Sequence, residues 1–91
     1  MLILGIMEMT EDEFDLLDEL YFVQPYDYLQ ETMGWSEDRL LNTLKSLHDK
    51  AFIKCLSAPD DELFGAINIL ENGKEMLFLA TKKGLMAHNA L

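Results

Sequence analysis

Ser36-Glu-Asp-Arg-Leu-Leu-Asn-Thr-Leu-Lys-Ser-Leu-His-Asp-Lys-Ala-Phe-Ile53 is the stretch whose reading decides the fold. Leu40, Leu44, Leu47 and Ala51 recur every three or four residues, so they share one face of a helix. Ser36 stands where an N-cap belongs. Ala51 is followed at once by the β-prone pair Phe52-Ile53, so the helix is expected to run directly into a strand.

Upstream, Gly34 is a natural C-terminal stop, and Trp35-Ser36 makes a tight turn into the long helix. Pro25 suits the first turn of a shorter helix, in which Tyr26, Leu29 and Met33 share one side. A short helix, a glycine turn and a longer amphipathic helix together form a helix-turn-helix arrangement. Earlier still, Thr10-Glu-Asp-Glu13 has the form of a capping box. Phe14, Leu17, Leu20 and Tyr21, widened by Leu16, form the apolar stripe of a first helix reaching about Phe22. Residues 2 to 7 read as a short strand or an extended arm.

Downstream the period changes. Phe52 to Ser57 reads as a strand, and Pro59-Asp-Asp-Glu62 as a turn. Leu63 to Leu70 reads as a second strand, or as one preceded by a helical turn at Asp60 or Asp61. Asn72-Gly73 predicts a hairpin, because both residues tolerate positive φ. Glu75 to Ala80 is the returning strand, and Thr81 caps a final helix from Lys82 to about Ala90. The expected class is α+β, a single domain over residues 1–91 with residues 1–9 as its strand or arm.

Composition narrows the function. At 91 residues, 49 % hydrophobic and 26 % charged, the chain has the make-up of one small globular domain. The apolar run from Leu2 to Met7 lacks a basic leader and meets Glu8 immediately, which makes a poor signal peptide. No apolar run approaches the length that crosses a bilayer, and a soluble cytoplasmic protein is the expectation. Cys55 is the one cysteine, so no internal disulfide forms. His48, Cys55 and His88 match no zinc spacing, and Asp60-Asp61-Glu62 lacks the alternation and central glycine of a calcium loop. The glycines are scattered singly, which excludes a phosphate-cradling loop. Neither an enzyme nor a cofactor is expected.

Charge is the dominant signal. The formal net charge is −10, and every Lys and Arg lies at or after Arg39. The first part of the chain is acidic throughout, a surface that repels phosphate and anionic membrane and attracts basic partners, or simply keeps the protein in solution.

Two local patterns resemble the small bacterial winged helix-turn-helix transcription regulators. Leu44-Lys-Ser-Leu-His-Asp-Lys-Ala-Phe-Ile53 is similar to the end of that superfamily's recognition helix, and Phe78-Leu-Ala-Thr-Lys-Lys-Gly84 to its last wing strand leading into a terminal helix. The resemblance covers roughly residues 10 to 90. It implies a three-helix core, a small antiparallel wing sheet and a C-terminal helix. It also implies nucleic-acid contacts from Ser36, Asp38, Arg39, Leu41, Asn42, Thr43, Lys45 and Ser46, with Arg39 suited to guanine and Asn42 to adenine. Lys45, Lys74, Lys82 and Lys83 are the phosphate-neutralising candidates.

The charge opposes that use. Glu37 and Asp38 stand at the end of the helix that would meet a polyanion, and Asp60-Asp61-Glu62 at the wing turn. The leading expectation is therefore a recognition module of transcription-regulator type acting mainly through protein contacts, as a homodimer or with a basic partner. The alternative is a dimeric sequence-specific DNA-binding regulator. Met76 to Ala80 is apolar on both strand faces, which calls for a cover on each. Candidate interface residues are Leu2, Ile3, Leu4, Ile6, Leu41, Leu77, Leu79, Leu85, Met86 and Leu91, with the arm pairing either within its own chain or with a neighbour.

Overall fold

The computed structural model describes residues 9–90. Among these, five α-helices and a four-stranded antiparallel sheet make an α+β fold. Helix α1 (Glu11–Leu17) tightens into a 3-10 turn, Asp18–Leu20. Strand β1 (Gln24–Pro25) then leads straight into α2 (Tyr26–Met33). Helix α3 (Glu37–Asp49) is followed by β2 (Ile53–Ala58) and β3 (Asp61–Glu62). Helix α4 (Ile69–Asn72) is a single turn that continues as a 3-10 turn, Gly73–Glu75. Strand β4 (Leu77–Ala80) and α5 (Lys82–Asn89) complete the chain.

The helix starts follow from local side-chain chemistry. Thr10 and Glu13 form the expected capping box: the Glu13 amide donates to the Thr10 hydroxyl at 3.1 Å and the Thr10 amide to Glu13 Oε1 at 2.7 Å. Ser36 caps α3 by accepting from the Arg39 amide, and Thr81 caps α5 by accepting from the Gly84 amide. Gly34 ends α2 at φ 69°, a left-handed value that glycine adopts without a Cβ clash.

The end of α3 differs from the expected one. Ala51 is exposed and sits at φ 63°, so it is not part of the buried helical face. The Phe52 amide donates to Leu47 O and the Ala51 amide to His48 O, both at 2.9 Å. These two bonds make a Schellman cap with alanine in the position that glycine usually holds. Buried Phe52 and Leu47 supply its apolar contact. The reversal turns the chain into β2 with no intervening loop.

The sheet order is β1-β4-β2-β3. Central β2 and β4 pair from Ile53↔Ala80 to Leu56↔Leu77, and β1 joins β4 through Gln24↔Phe78 and Pro25↔Leu77. Proline is tolerated at such an edge because it owes no ladder bond there. The core lies between the sheet and helices α1 to α3. Leu16, Leu17, Leu20, Tyr26, Leu29, Leu40, Leu44, Leu47, Phe52, Ile53 and Phe78 are its most buried large side chains, joined by Ile69 of α4.

Four expectations fail here, each for a local reason. The first helix does not reach Phe22: Tyr21 and Phe22 follow the 3-10 turn, and Phe22 is 77 % exposed. Pro25 is the residue before α2, in β1, instead of its first turn. Leu63 to Leu70 forms no strand, because Gly65 at φ 86° breaks the extended run and Asn68 accepts from the Glu71 amide to start α4. Asn72-Gly73 makes no hairpin either, since Gly73 has φ −60°. Glycine is needed there for space: a Cβ on Gly73 would meet Leu41 Cδ2 at 3.0 Å.

Two substitutions test this backbone logic by denaturant unfolding. Gly84→Ala places a Cβ against the Phe52 carbonyl oxygen, which already accepts from the Thr81 amide. It is expected to cost about 3 kcal/mol or more, the scale of severe overpacking against backbone. Ala51→Gly relieves the left-handed strain and is expected to stabilise by about 0.5–1 kcal/mol, after the extra unfolded-state entropy of glycine is subtracted.

Candidate interaction surface around the third helix

Helix α3 carries most of the candidate contact residues, and its two flanks are occupied by its own chain. On one flank lies α1. Arg39 Nε and Nη2 donate to Asp12 Oδ2 and Oδ1 at 3.0 and 2.9 Å, a two-pronged pair, while the guanidinium sits 4.2 Å over the Trp35 ring. Two turns further along α3, Ser46 donates to Glu13 Oε2, and beyond it Lys50 Nζ donates to Glu13 Oε1 at 2.8 Å. Glu13 is 1 % exposed. Burial pushes its carboxyl up, but the hydrogen bonds from Lys50, Ser46 and the Thr10 amide together outweigh burial and hold it below the ordinary carboxylate value. The hydrogen bonds from Arg39 likewise hold Asp12 down.

On the other flank lie α4 and the 3-10 turn. Lys74 Nζ reaches Glu37 Oε1 at 3.1 Å, Gly73 and Ile69 close over Leu41, and residues 66–69 run beside Lys45. Glu37, Leu41 and Lys45 are four residues apart, so one helical stripe borders this flank, with Leu41 buried in its middle and Glu37 and Lys45 exposed at its ends. Leu41 is consequently 4 % exposed, which removes it both from the candidate base contacts and from the candidate protein interface.

The stripe left facing outward is Asp38, Asn42, Lys45 and Asp49. Asn42 Nδ2 donates to Asp38 O at 2.7 Å, and Lys45 pairs with Asp49 at 2.7 Å. Thr43 is nearly buried and donates to Arg39 O, and the Ser36 hydroxyl is engaged as a cap. The structure therefore gathers Ser36, Arg39, Asn42, Thr43, Lys45 and Ser46 on or beside one surface, each with its side chain already engaged in a hydrogen bond within the chain. Lys74 joins that surface through Glu37. Lys82 and Lys83 do not: they open α5, against the C-terminal end of α3, where the Thr81 hydroxyl donates to Ala51 O and Lys83 lies 5.6 Å over the Phe52 ring. They make no ion pair among the described residues.

Among the other candidate interface residues, Leu77, Leu79 and Leu85 are half-buried and Met86 is 64 % exposed. The residue alternation of β4 puts Phe78 and Ala80 in the core and turns Leu77 and Leu79 outward. Leu2, Ile3, Leu4, Ile6 and Leu91, and with them the strand or arm over residues 2 to 7, lie outside the described residues.

Sequence reading missed the partners: Asp12 for Arg39, Glu13 for Ser46 and Lys50, and Glu37 for Lys74. Only Lys45–Asp49, four residues apart on one helix, carried a local signal. It also missed the cluster at the end of α5. There the buried His88 ring stacks on Phe14 at 4.2 Å, its Nδ1 shares a 2.7 Å hydrogen bond with the Tyr21 hydroxyl, and its Nε2 lies 3.7 Å from Asp18 Oδ1. This cluster ties α5 to α1.

Cys55 is fully buried in β2, and burial pushes its thiol up to about 11. Among the described residues no group of three or more His, Cys, Asp or Glu side chains is placed to hold a metal ion, and no helix is long and apolar enough to cross a membrane. No protein-family model, curated protein or solved structure matches the chain.

Two measurements check this description. Because the folded pKa of Glu13 is depressed, its contribution to stability is present above the unfolded carboxylate value of about 4.3 and is lost as pH falls through the folded value. Glu13→Gln is expected to cost about 1–3 kcal/mol near neutral pH, the cost of leaving buried donors poorly paired, and to flatten the acid limb of a stability–pH curve. Cys55 is expected to resist alkylation in the native protein and to react only at the rate of unfolding, as followed by mass spectrometry.

Proposed function

We propose that the chain is a winged helix-turn-helix recognition module, without enzymatic activity, that acts through protein contacts. The element order supports the architecture: α1, β1, then α2 and α3 joined by a glycine turn, then antiparallel strands that pair back with β1. In that frame α3 is the recognition helix and the β2–β3 turn is the wing.

The observation that carries the mode of action is the state of the cations around α3. Arg39, Lys45 and Lys74 are each held by a carboxylate of the same chain, and Glu37, Asp38 and Asp49 remain on the surface. Binding to a nucleic-acid backbone is driven largely by counterion release, which needs cations free to replace those counterions. Here each approach to phosphate first breaks an internal pair and then brings carboxylates toward the polyanion. Exposed pairs are individually weak, so it is the sum of these pairs with the surplus of acids that decides. A surface of this sign suits a basic partner.

The alternative, a dimeric sequence-specific DNA-binding regulator, is favoured by the helix-turn-helix arrangement itself and by Lys82 and Lys83 at the start of α5. The two readings separate in a binding titration with mixed duplex DNA at low salt. The leading reading expects feeble or absent binding. Tight binding with a steep salt dependence, removed by Arg39→Ala, would overturn it. Replacing Asp12, Glu37, Asp38 and Asp49 together by their amides is expected to create measurable salt-dependent DNA binding.

A further inference from the structure

We propose that His88 is a pH-sensitive latch: a proton taken up on Nε2, beside Asp18, fastens the end of α5 to α1, and loss of that proton slackens the contact. The latch is independent of what α3 binds. His88 is 9 % exposed, and each of its two nitrogens meets a different group from the α1 side. Nδ1 lies 2.7 Å from the Tyr21 hydroxyl, and Nε2 lies 3.7 Å from Asp18 Oδ1. The second distance is too long for a hydrogen bond, so Nε2 is buried without a hydrogen-bond partner among the described residues.

The neighbouring hydrogen bonds fix which nitrogen lacks a proton. Tyr21 has a single hydroxyl proton and donates it to Asn89 Oδ1 at 3.2 Å. Its oxygen is then the acceptor for Nδ1–H, so neutral His88 carries its proton on Nδ1 and a bare lone pair on Nε2. That lone pair stands beside a carboxylate. A buried acceptor with nothing to accept from costs free energy, and the adjacent anion adds to the cost. Protonation reverses both effects. Nε2 becomes a charged donor next to Asp18, while the chain from Nδ1 through Tyr21 to Asn89 stays intact. The Asp18 side chain is mostly exposed, which leaves it free to turn in and close the remaining gap.

Two further features favour the imidazolium. His88 sits in the last turn of α5, at the negative end of the helix dipole. Its ring also stacks on Phe14 at 4.2 Å with the planes 18° apart, and the face of an aromatic ring attracts a cation. Burial opposes the charge. Asp18 and Tyr21 are the titratable groups that meet the ring from the α1 side. Strand β4, which also packs against α5, has no titratable side chain between Leu77 and Ala80. On α5 itself, Lys82 and Lys83 lie at the opposite end. The folded protein therefore holds this proton more tightly than the unfolded chain. The resulting stability is present below the usual imidazole value of about 6.5 and is lost as the pH rises past it.

The test is native-state amide hydrogen exchange by NMR on the full chain at about pH 8 and about pH 6, expressed as protection factors. Ring nitrogen chemical shifts are read in the same samples. Ordinary carboxylates titrate below this window, which leaves His48 as the other side chain that changes charge within it. Protection of residues 85–90, relative to β2 and β4, is expected to rise about three- to tenfold at the lower pH. The ring shifts should place the proton on Nδ1 alone at the higher pH and on both nitrogens at the lower. Asp18→Asn is expected to flatten the response, because its amide offers Nε2 a donor at either pH. His88→Gln should abolish the response, and His48→Gln should leave it unchanged. Asp18→Asn, at an exposed side chain, carries the test if the substitution at buried His88 prevents folding.

Protection that is flat or falls toward the lower pH would overturn the latch. A neutral ring with its proton on Nε2, or a full response in Asp18→Asn, would do the same. Loss of the response in His48→Gln would also overturn it, moving the sensor to α3.

Discussion

The Glu13 carboxylate is the fixed point of this fold. Taking a carboxylate out of water costs several kcal/mol unless hydrogen bonds replace its hydration. Glu13 gains them from three places: the Thr10 amide at the start of its own helix, Ser46 within α3, and Lys50 at the C-cap of α3. Ser46 and Lys50 are one helical turn apart, so satisfying both allows one register of α1 against α3. That register carries Asp12 to Arg39 at the other end of the contact. A capping residue of one helix thus sets how the next helix lies on it.

From α3 the rest of the chain follows by direct connection. The Schellman reversal at Ala51 sends the chain from helix to strand without a loop, placing β2 alongside β4. Gly84 lets α5 approach the same reversal closely enough that the Phe52 carbonyl can accept from Thr81. The return path from β3 to β4 crosses the opposite flank of α3, where Gly73 permits contact with Leu41. Helix α3 is therefore clamped between α1 and this return path, and its outward stripe is narrow.

Clamping and charge have a common origin. Each flank is fastened partly by ion pairs, and each pair uses a cation that a nucleic-acid interface would need. The interactions that position α3 also neutralise it. What remains outside is mostly acidic, with Phe64 and Leu70 exposed along the return path.

Much of the local architecture was legible in the sequence. The capping residues Thr10, Ser36, Gly34 and Thr81, the leucines of the α3 stripe and the strand after it all rest on chemistry within a few residues, and they stand where their spacing put them; Ala51, read as the end of that stripe, does not. The candidate surface was legible as a set of residue numbers around α3. The sequence was silent on which of their charges were already spoken for. Arg39 with Asp12, Lys50 with Glu13 and Lys74 with Glu37 are separated by long stretches of chain, so no periodicity links them.

The same limit explains the misread return path. Gly73 reads in the sequence as a turn residue because glycine tolerates positive φ, yet its lack of a side chain serves a close approach to Leu41 from a distant element. What the sequence determined by itself was helix ends, strand propensity and the total sign of the charge, because these depend on neighbours in the chain. Only the tertiary structure decided which charges cancel, which face of α3 stays open and which apolar side chains remain outside, because these depend on neighbours in space.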